Sequence, residues 1–170
     1  EVETPCVESL LRELKRRNLI NDFKISSHKN EFPDLAVVET KEGKNIAIDV
    51  KSSNHSTMKA GMWRKSNTPA NDLGTFKTLP EHVEEWGGEN IYFLWVHYNF
   101  TDEKREIVKI EFDNFYKFVG VNKENLLKYR IADGKIRPKT YSQKAFFNNY
   151  SDFYKLFEKT NVARKEKIIM

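Results

Sequence analysis

Apolar and polar positions change period several times along the chain, and each change marks an element. Val7, Leu10, Leu11 and Leu14 recur at helical spacing, so residues 4–20 are expected to form a helix. Thr4-Pro5 supplies its cap and first turn, and Arg12, Lys15, Arg16 and Arg17 lie largely off the stripe. Phe23-Lys24-Ile25 reads as a short first strand, followed by the polar loop 26–31. Two short apolar runs come next, Asp34–Val38 and Ile46–Lys51, joined by Thr40-Lys41-Glu42-Gly43-Lys44. Glycine in a short polar loop between apolar runs predicts an antiparallel hairpin. Residues 54–72 are rich in Ser, Asn, Thr and Lys, with Met58, Met62 and Trp63, and show no clean period. They are expected to form a loop or short helix that meets substrate or a second subunit. Phe76–Trp86 reads as a helix stopped by Gly87-Gly88. Ile91–Tyr98 is apolar at nearly every position, which predicts a central strand buried on both faces. Glu106–Phe112 alternates as a further strand, and 113–118 as a short capped helix. Ala132–Lys135 reads as a turn within a basic hairpin, and 148–159 as a C-terminal helix on Phe153, Leu156 and Phe157, with a fraying basic tail from Arg164. This order predicts an α/β fold, a mixed central β-sheet flanked by helices.

The hairpin also carries chemistry. Strand side chains alternate faces, so Ala47, Asp49 and Lys51 share one face while Ile46, Ile48 and Val50 point into a core. Asp34 opens the first strand, and antiparallel pairing brings that end beside Asp49 and Lys51. Two carboxylates and a lysine then converge at one end of a rigid sheet. That is the set metal-dependent phosphodiester hydrolysis needs: anionic oxygens for Mg²⁺ and a cation beside the attacked phosphate.

Pro33-Asp34 followed by Asp49-Val50-Lys51 resembles the motif of the PD-(D/E)XK nuclease superfamily. The segments Asn30–Leu35 and Lys44–Ser53, with Leu73-Gly74-Thr75-Phe76 and the apolar run from Ile91 in similar order, resemble EcoRV-like type II restriction endonucleases over about residues 5 to 100. The resemblance implies a restriction-endonuclease-like fold in one nuclease domain, 1–170, with a catalytic core over about 5–112 and a variable part, 113–170, for DNA recognition or dimerisation. It implies catalytic roles for Asp34, Asp49 and Lys51, and a metal site on Asp34 and Asp49 holding Mg²⁺, with Mn²⁺ as a substitute. Family members often add an acid from the preceding helix. Glu8 is the choice here, with Glu3 and Glu13 as competitors. The implied substrate is double-stranded DNA, cut by a homodimer whose two sites are related by a two-fold axis.

Composition adds less. The chain has 170 residues, 32% charged and 39% hydrophobic, and a formal net charge of only +4, so global charge is weak support for a nucleic-acid partner. Local charge says more. Between Tyr116 and Lys144 the acids are only Glu124 and Asp133, against Lys117, Lys123, Lys128, Arg130, Lys135, Arg137, Lys139 and Lys144. Such a stretch suits phosphate tracking. Arg130, Lys135, Arg137, Lys139, Gln143 and Asn148 form the pool of base-edge readers, and Lys29 and Asn30 belong to a second DNA-contacting loop beside the motif. Cys6 stands alone, which excludes an intrachain disulfide and fits a reducing cytoplasm. The histidines 28, 55, 82 and 97 have no ligand spacing, no run is long enough to span a bilayer, and no pattern calls for an organic cofactor. Two other readings compete with a restriction enzyme: a repair, junction-resolving or transposition nuclease, and a catalytically silent DNA-binding module.

Overall fold

The computed structural model describes residues 3–26 and 32–169, with side chains over 7–26 and 32–167. Strands β1 (Asp22–Ile25), β2 (Ala36–Glu39) and β3 (Asn45–Asn54) form an antiparallel meander. The β2–β3 turn closes as the sequence predicts: Gly43 takes φ +73°, and the Thr40 N–H donates to the Lys44 carbonyl at 2.8 Å. Ala36 lies opposite Ile48, which fixes the register and puts the residues before β2 beside the middle of β3.

After β3 the chain makes a separate ribbon, β4 (Ser56–Lys59) and β5 (Met62–Lys65), and then helix α2 (Thr78–Trp86). It returns as β6 (Ile91–Phe100), parallel to β3, with β7 (Arg105–Asn114) antiparallel beside it. The sheet order is β1-β2-β3-β6-β7. A parallel neighbour requires a crossover, and α2 lies within it. Thr75 Oγ1 accepts the N–H groups of Lys77 (3.1 Å) and Thr78 (3.0 Å), so Thr75 caps the helix start. The helix stops at Gly87, where φ is +81°. Gly88 is needed for space: a β-carbon there would lie 2.2 Å from the Tyr150 ring.

Helix α1 (Glu3–Arg16) covers one face of the sheet. Its Val7, Leu11 and Leu14 pack with Ala36, Val38, Ile46, Ile48 and Val50. Helices α2 and α3 (Tyr150–Ile169) cover the other face, with a larger core of Leu73, Phe76, Leu79, Phe93, Trp95, Phe115, Phe153 and Phe157. The α/β class, a mixed sheet flanked by helices, is therefore the observed one.

Several boundaries differ from the expectations. Helix α1 ends at Arg16, because Asn18 takes a left-handed φ of +59° and breaks the helical path. Residues 54–72 contain the β4–β5 ribbon rather than a helix, turning on Ala60 (φ +50°) and Gly61 (φ +73°). Strand β6 is buried on one face only. Ile91, Phe93, Trp95 and His97 are buried, while Tyr92, Leu94, Val96 and Tyr98 are half-covered because α1 lies over the β1–β3 side. Residues 113–118 hold a 3₁₀ turn, Phe115–Phe118, and the basic hairpin at 129–137 is reduced to one bridge, Tyr129 with Ile136. Helix α3 runs past Arg164 to Ile169. Its Thr160, fully buried, accepts the Leu127 N–H at 3.0 Å and donates to the Leu156 carbonyl at 2.6 Å, which ties the helix down beyond its aromatic stripe.

Candidate active site

The meander delivers Asp34, Asp49 and Lys51 to one end of the sheet. Asp34 lies just before β2, and its N–H donates to Asp49 Oδ1 at 3.0 Å. The Val50 N–H donates to Asp34 Oδ1 at 2.7 Å. These reciprocal bonds follow from the register, since the Leu35 N–H already donates to the Ile48 carbonyl at 3.2 Å. Asp49 is 4% exposed, and its Oδ2 forms an ion pair with Lys51 Nζ. That ammonium also lies 5.2 Å from the centroid of the Phe93 ring, the residue opposite Asp49 on β6.

The three side chains line an open cleft of about 390 Å³. The other walls come from Leu73 and Gly74 before α2, from Thr78, Leu79 and His82 on α2, and from Phe32, Ile91 and Phe93. The rings of Phe32 and His82 stack at 3.9 Å between centroids. Burial holds His82 below the ordinary imidazole pKa, and the charge of Asp49 offsets only part of that.

The electrostatics are set by crowding. Burial, then a hydrogen bond and charge repulsion from Asp49, push the Asp34 carboxyl up to about 7, against the opposing pull of the Val50 N–H and Lys51. Two close carboxylates served by one ammonium are a poor arrangement unless a further positive charge joins them. The donors are carboxylate oxygens, the hard ligand type that suits Mg²⁺. The pair therefore fits a hard divalent cation by donor chemistry and by charge demand. Among the described residues no group of three or more His, Cys, Asp and Glu side chains converges, so a cation here would take its remaining ligands from water and substrate.

The remaining sequence candidates are placed differently. Glu8 lies on α1, ion-paired with Arg12, and is not among the residues lining the cleft. The apolar stripe of α1 packs on the Ile48 face of the sheet, opposite Asp49 and Lys51. Glu13 is held by Arg16 and Arg17. The Glu3 side chain, Lys29 and Asn30 lie outside the described residues. Arg130 Nε donates to Asp133 at 2.9 Å, and Lys135 Nζ lies 3.0 Å from Asp72. Arg137 pairs with Asp72 and donates to the Ala70 carbonyl at 2.9 Å. Burial alone would raise the Asp72 pKa, but Lys135 and Arg137 outweigh it and hold the carboxyl below its usual range. Lys139 donates to the Gln143 carbonyl at 3.0 Å, and burial lowers its pKa. These four cations bind the C-terminal segment to residues 69–72 and to itself.

Three cleft residues were missed in the sequence: Phe32, Thr78 and His82. The i, i+4 spacing of Thr78 and His82, with Leu79 between them, is the signal that places them on one face of α2. Three exposed cations of the ribbon, Lys59, Arg64 and Lys65, take part in no ion pair among the described residues, in contrast to the C-terminal set. No helix among the described residues is long and apolar enough to cross a membrane.

No family model matches the chain, and comparison with curated proteins gives no match either. Solved structures do match. The NlaIV restriction endonuclease superposes with a TM-score of 0.60 at 18% sequence identity, over 94% of this chain and 64% of that one. The chain thus spans less than two thirds of the length of that enzyme. The meander, the parallel β6, the flanking helices and the superposition together establish a restriction-endonuclease-like fold for this chain.

Proposed function

We propose that this chain is a Mg²⁺-dependent endonuclease that hydrolyses phosphodiester bonds of double-stranded DNA at specific sequences, as type II restriction enzymes do. The observation that carries this reading is the convergence of Asp34, Asp49 and Lys51 in an open cleft on this fold. Asp34 and Asp49 would hold the cation. When bound, Mg²⁺ supplies a water of lowered pKa and neutralises charge at the scissile phosphate. Lys51, fixed by Asp49 and braced against the Phe93 ring, presents its ammonium to the negative charge that grows in the phosphorane. Phe32 and His82 form the aromatic wall beside the reacting group.

The β4–β5 ribbon supports a DNA substrate. It continues directly from the strand that bears Asp49 and Lys51, and residues 54–71 contain no acid. A two-stranded ribbon is narrow enough to enter the major groove, and exposed Lys59, Arg64 and Lys65 are free to meet phosphates and base edges. The intact Asp34, Asp49 and Lys51 argue against a silent binding module.

Complexes formed in Ca²⁺ and then chased with Mg²⁺ test the reading. Ca²⁺ supports binding but activates water poorly, so wild type should shift duplex DNA in Ca²⁺ and release cut product after the chase. Asp49→Ala should leave the DNA uncut. Cutting in Ca²⁺ or EDTA, or unchanged cutting by Asp49→Ala, would contradict the proposal.

A further inference from the structure

The free end of the β4–β5 ribbon carries large apolar side chains that serve no core among the described residues. Met58 is 52% exposed and Met62 56%, and neither belongs to the clusters on the two faces of the main sheet. The ribbon reverses at Ala60 (φ +50°) and Gly61 (φ +73°), so its apex is a two-residue turn with nothing larger than a methyl group on it. Met62 follows the turn directly, and Met58 stands two positions before it. The arm beneath is anchored, by the Trp63 indole on Asp102 and by the His55 N–H on the Tyr98 carbonyl.

Pairing and charge identify what meets this tip. Opposed residues of antiparallel strands share a face, so Met58 lies on the face of Trp63 and Met62 on the face of Lys59. The two methionines therefore stand on opposite faces, and a protein docked on either face would cover only one of them. Cations surround both: Lys59, Arg64 and Lys65 are exposed, and residues 54–71 contain no acid. The matching ligand has an anionic rim and an apolar interior that a narrow tip can enter. Duplex DNA has both. Its phosphates line the outside, and its base steps, about 3.4 Å apart, are opened by apolar side chains that wedge between them. Methionine suits that slot, because it is unbranched and its thioether makes favourable contacts with aromatic rings.

We propose that the ribbon is a DNA wedge: Lys59, Arg64 and Lys65 seat on phosphates, and the side chains of Met62 and Met58 enter the base stack and unstack one step. The inference rests on the proposed function only in taking duplex DNA as the substrate. It needs neither the cation site nor cleavage. It adds a means of choosing sequence, because pyrimidine–purine steps are the easiest to unstack. The wedge selects such a step without a hydrogen bond to any base.

Chemical probing of plasmid DNA bound by the full chain in Ca²⁺ tests the wedge, with permanganate reporting unstacked pyrimidines and diethyl pyrocarbonate unstacked purines. Wild type should give hyperreactive bases confined to single steps of a recurring sequence. Met58→Ala with Met62→Ala should lose them while still shifting the DNA, with affinity about tenfold lower and an unchanged salt dependence, since no charge is removed. Its thermal midpoint should match wild type, because both side chains are exposed. Met58→Leu with Met62→Leu should restore the hyperreactive bases. Uniform reactivity in DNA bound by wild type, or hyperreactivity that survives the double alanine variant, would overturn the proposal. So would a double alanine variant that changes the oligomeric mass and leaves the reactivity as it was, which would make the tip a protein contact. The wedge and the nuclease fail separately. Unstacked DNA that Mg²⁺ never cuts removes the nuclease alone, cut DNA of uniform reactivity removes the wedge alone, and DNA left unbound removes both.

Discussion

At the residue scale, the pair Asp34–Asp49 makes stability depend on pH, and in the proposed function it would also hold the cation. The Asp34 carboxyl titrates near 3.8 in an unfolded chain and is pushed up to about 7 when folded. A raised acid favours the folded state while it stays protonated. Its contribution is therefore full below the unfolded value of 3.8 and is lost as pH rises through about 7. In EDTA the thermal midpoint of wild type should fall more than that of Asp34→Asn over this window. Mg²⁺ should recover the loss at alkaline pH and have little effect on Asp34→Asn. A midpoint that responds equally in both proteins would remove Asp34 from the cation site. For chemistry, Lys51→Ala should lower the cleavage rate by about 10² to 10³, with DNA binding in Ca²⁺ retained. Asp49→Ala should abolish cleavage. These residues were legible in the sequence because they depend on local periodicity. Period-two alternation puts Asp49 and Lys51 on one face, and a glycine turn brings Asp34 to them. The Phe32–His82 stack was not legible, because it depends on how α2 docks after a crossover.

At the scale of elements, the crossover and the ribbon are the informative parts. Helix α2 carries one wall of the cleft and is capped by Thr75, so Thr75→Ala should cost about 1 kcal/mol in chemical denaturation. Gly88→Ala should cost about 1–3 kcal/mol, because the β-carbon enters the Tyr150 ring and overpacks a filled core. The ribbon is held to the body by the Trp63 indole N–H on Asp102 Oδ2 at 3.0 Å and, at its base, by the His55 N–H on the Tyr98 carbonyl of β6 at 2.8 Å. Replacing Lys59, Arg64 and Lys65 with Glu should weaken DNA binding in Ca²⁺ and flatten its salt dependence, with little change in stability. Arg137→Ala should do the reverse, since Arg137 holds Asp72 and the Ala70 carbonyl. The ribbon escaped the periodicity because Met58, Met62 and Trp63 do not alternate cleanly with polar residues, and one glycine was its only turn signal. The length of α3 was hidden for a related reason. Its apolar stripe thins after Phe157, while good helix formers and the buried Thr160 carry it on.

At the scale of the molecule, residues 115–157 share one core with the sheet. Phe115, Phe153 and Phe157 pack with Phe93 and Trp95, and Ile136 bonds to Leu73 and Gly74 at the cleft wall. The basic stretch expected to track DNA is thus largely structural in its pairing, and charge density in sequence did not distinguish paired from free cations. Fold class was legible because strand, helix and glycine signals agreed for β1 to β3, α2, β6 and β7. The free edge of β7 was not, because exposure on the last strand of a sheet follows from the strand order.

The most direct measurement is end-mapping of duplex DNA incubated with the full chain in Mg²⁺, beside Asp49→Ala and Lys51→Ala. Discrete ends at one recurring sequence, absent from both variants, are the expected result. Random ends would retain the nuclease and remove its sequence specificity. Intact DNA with wild type, or identical ends from wild type and Asp49→Ala, would contradict a nuclease built on Asp34, Asp49 and Lys51.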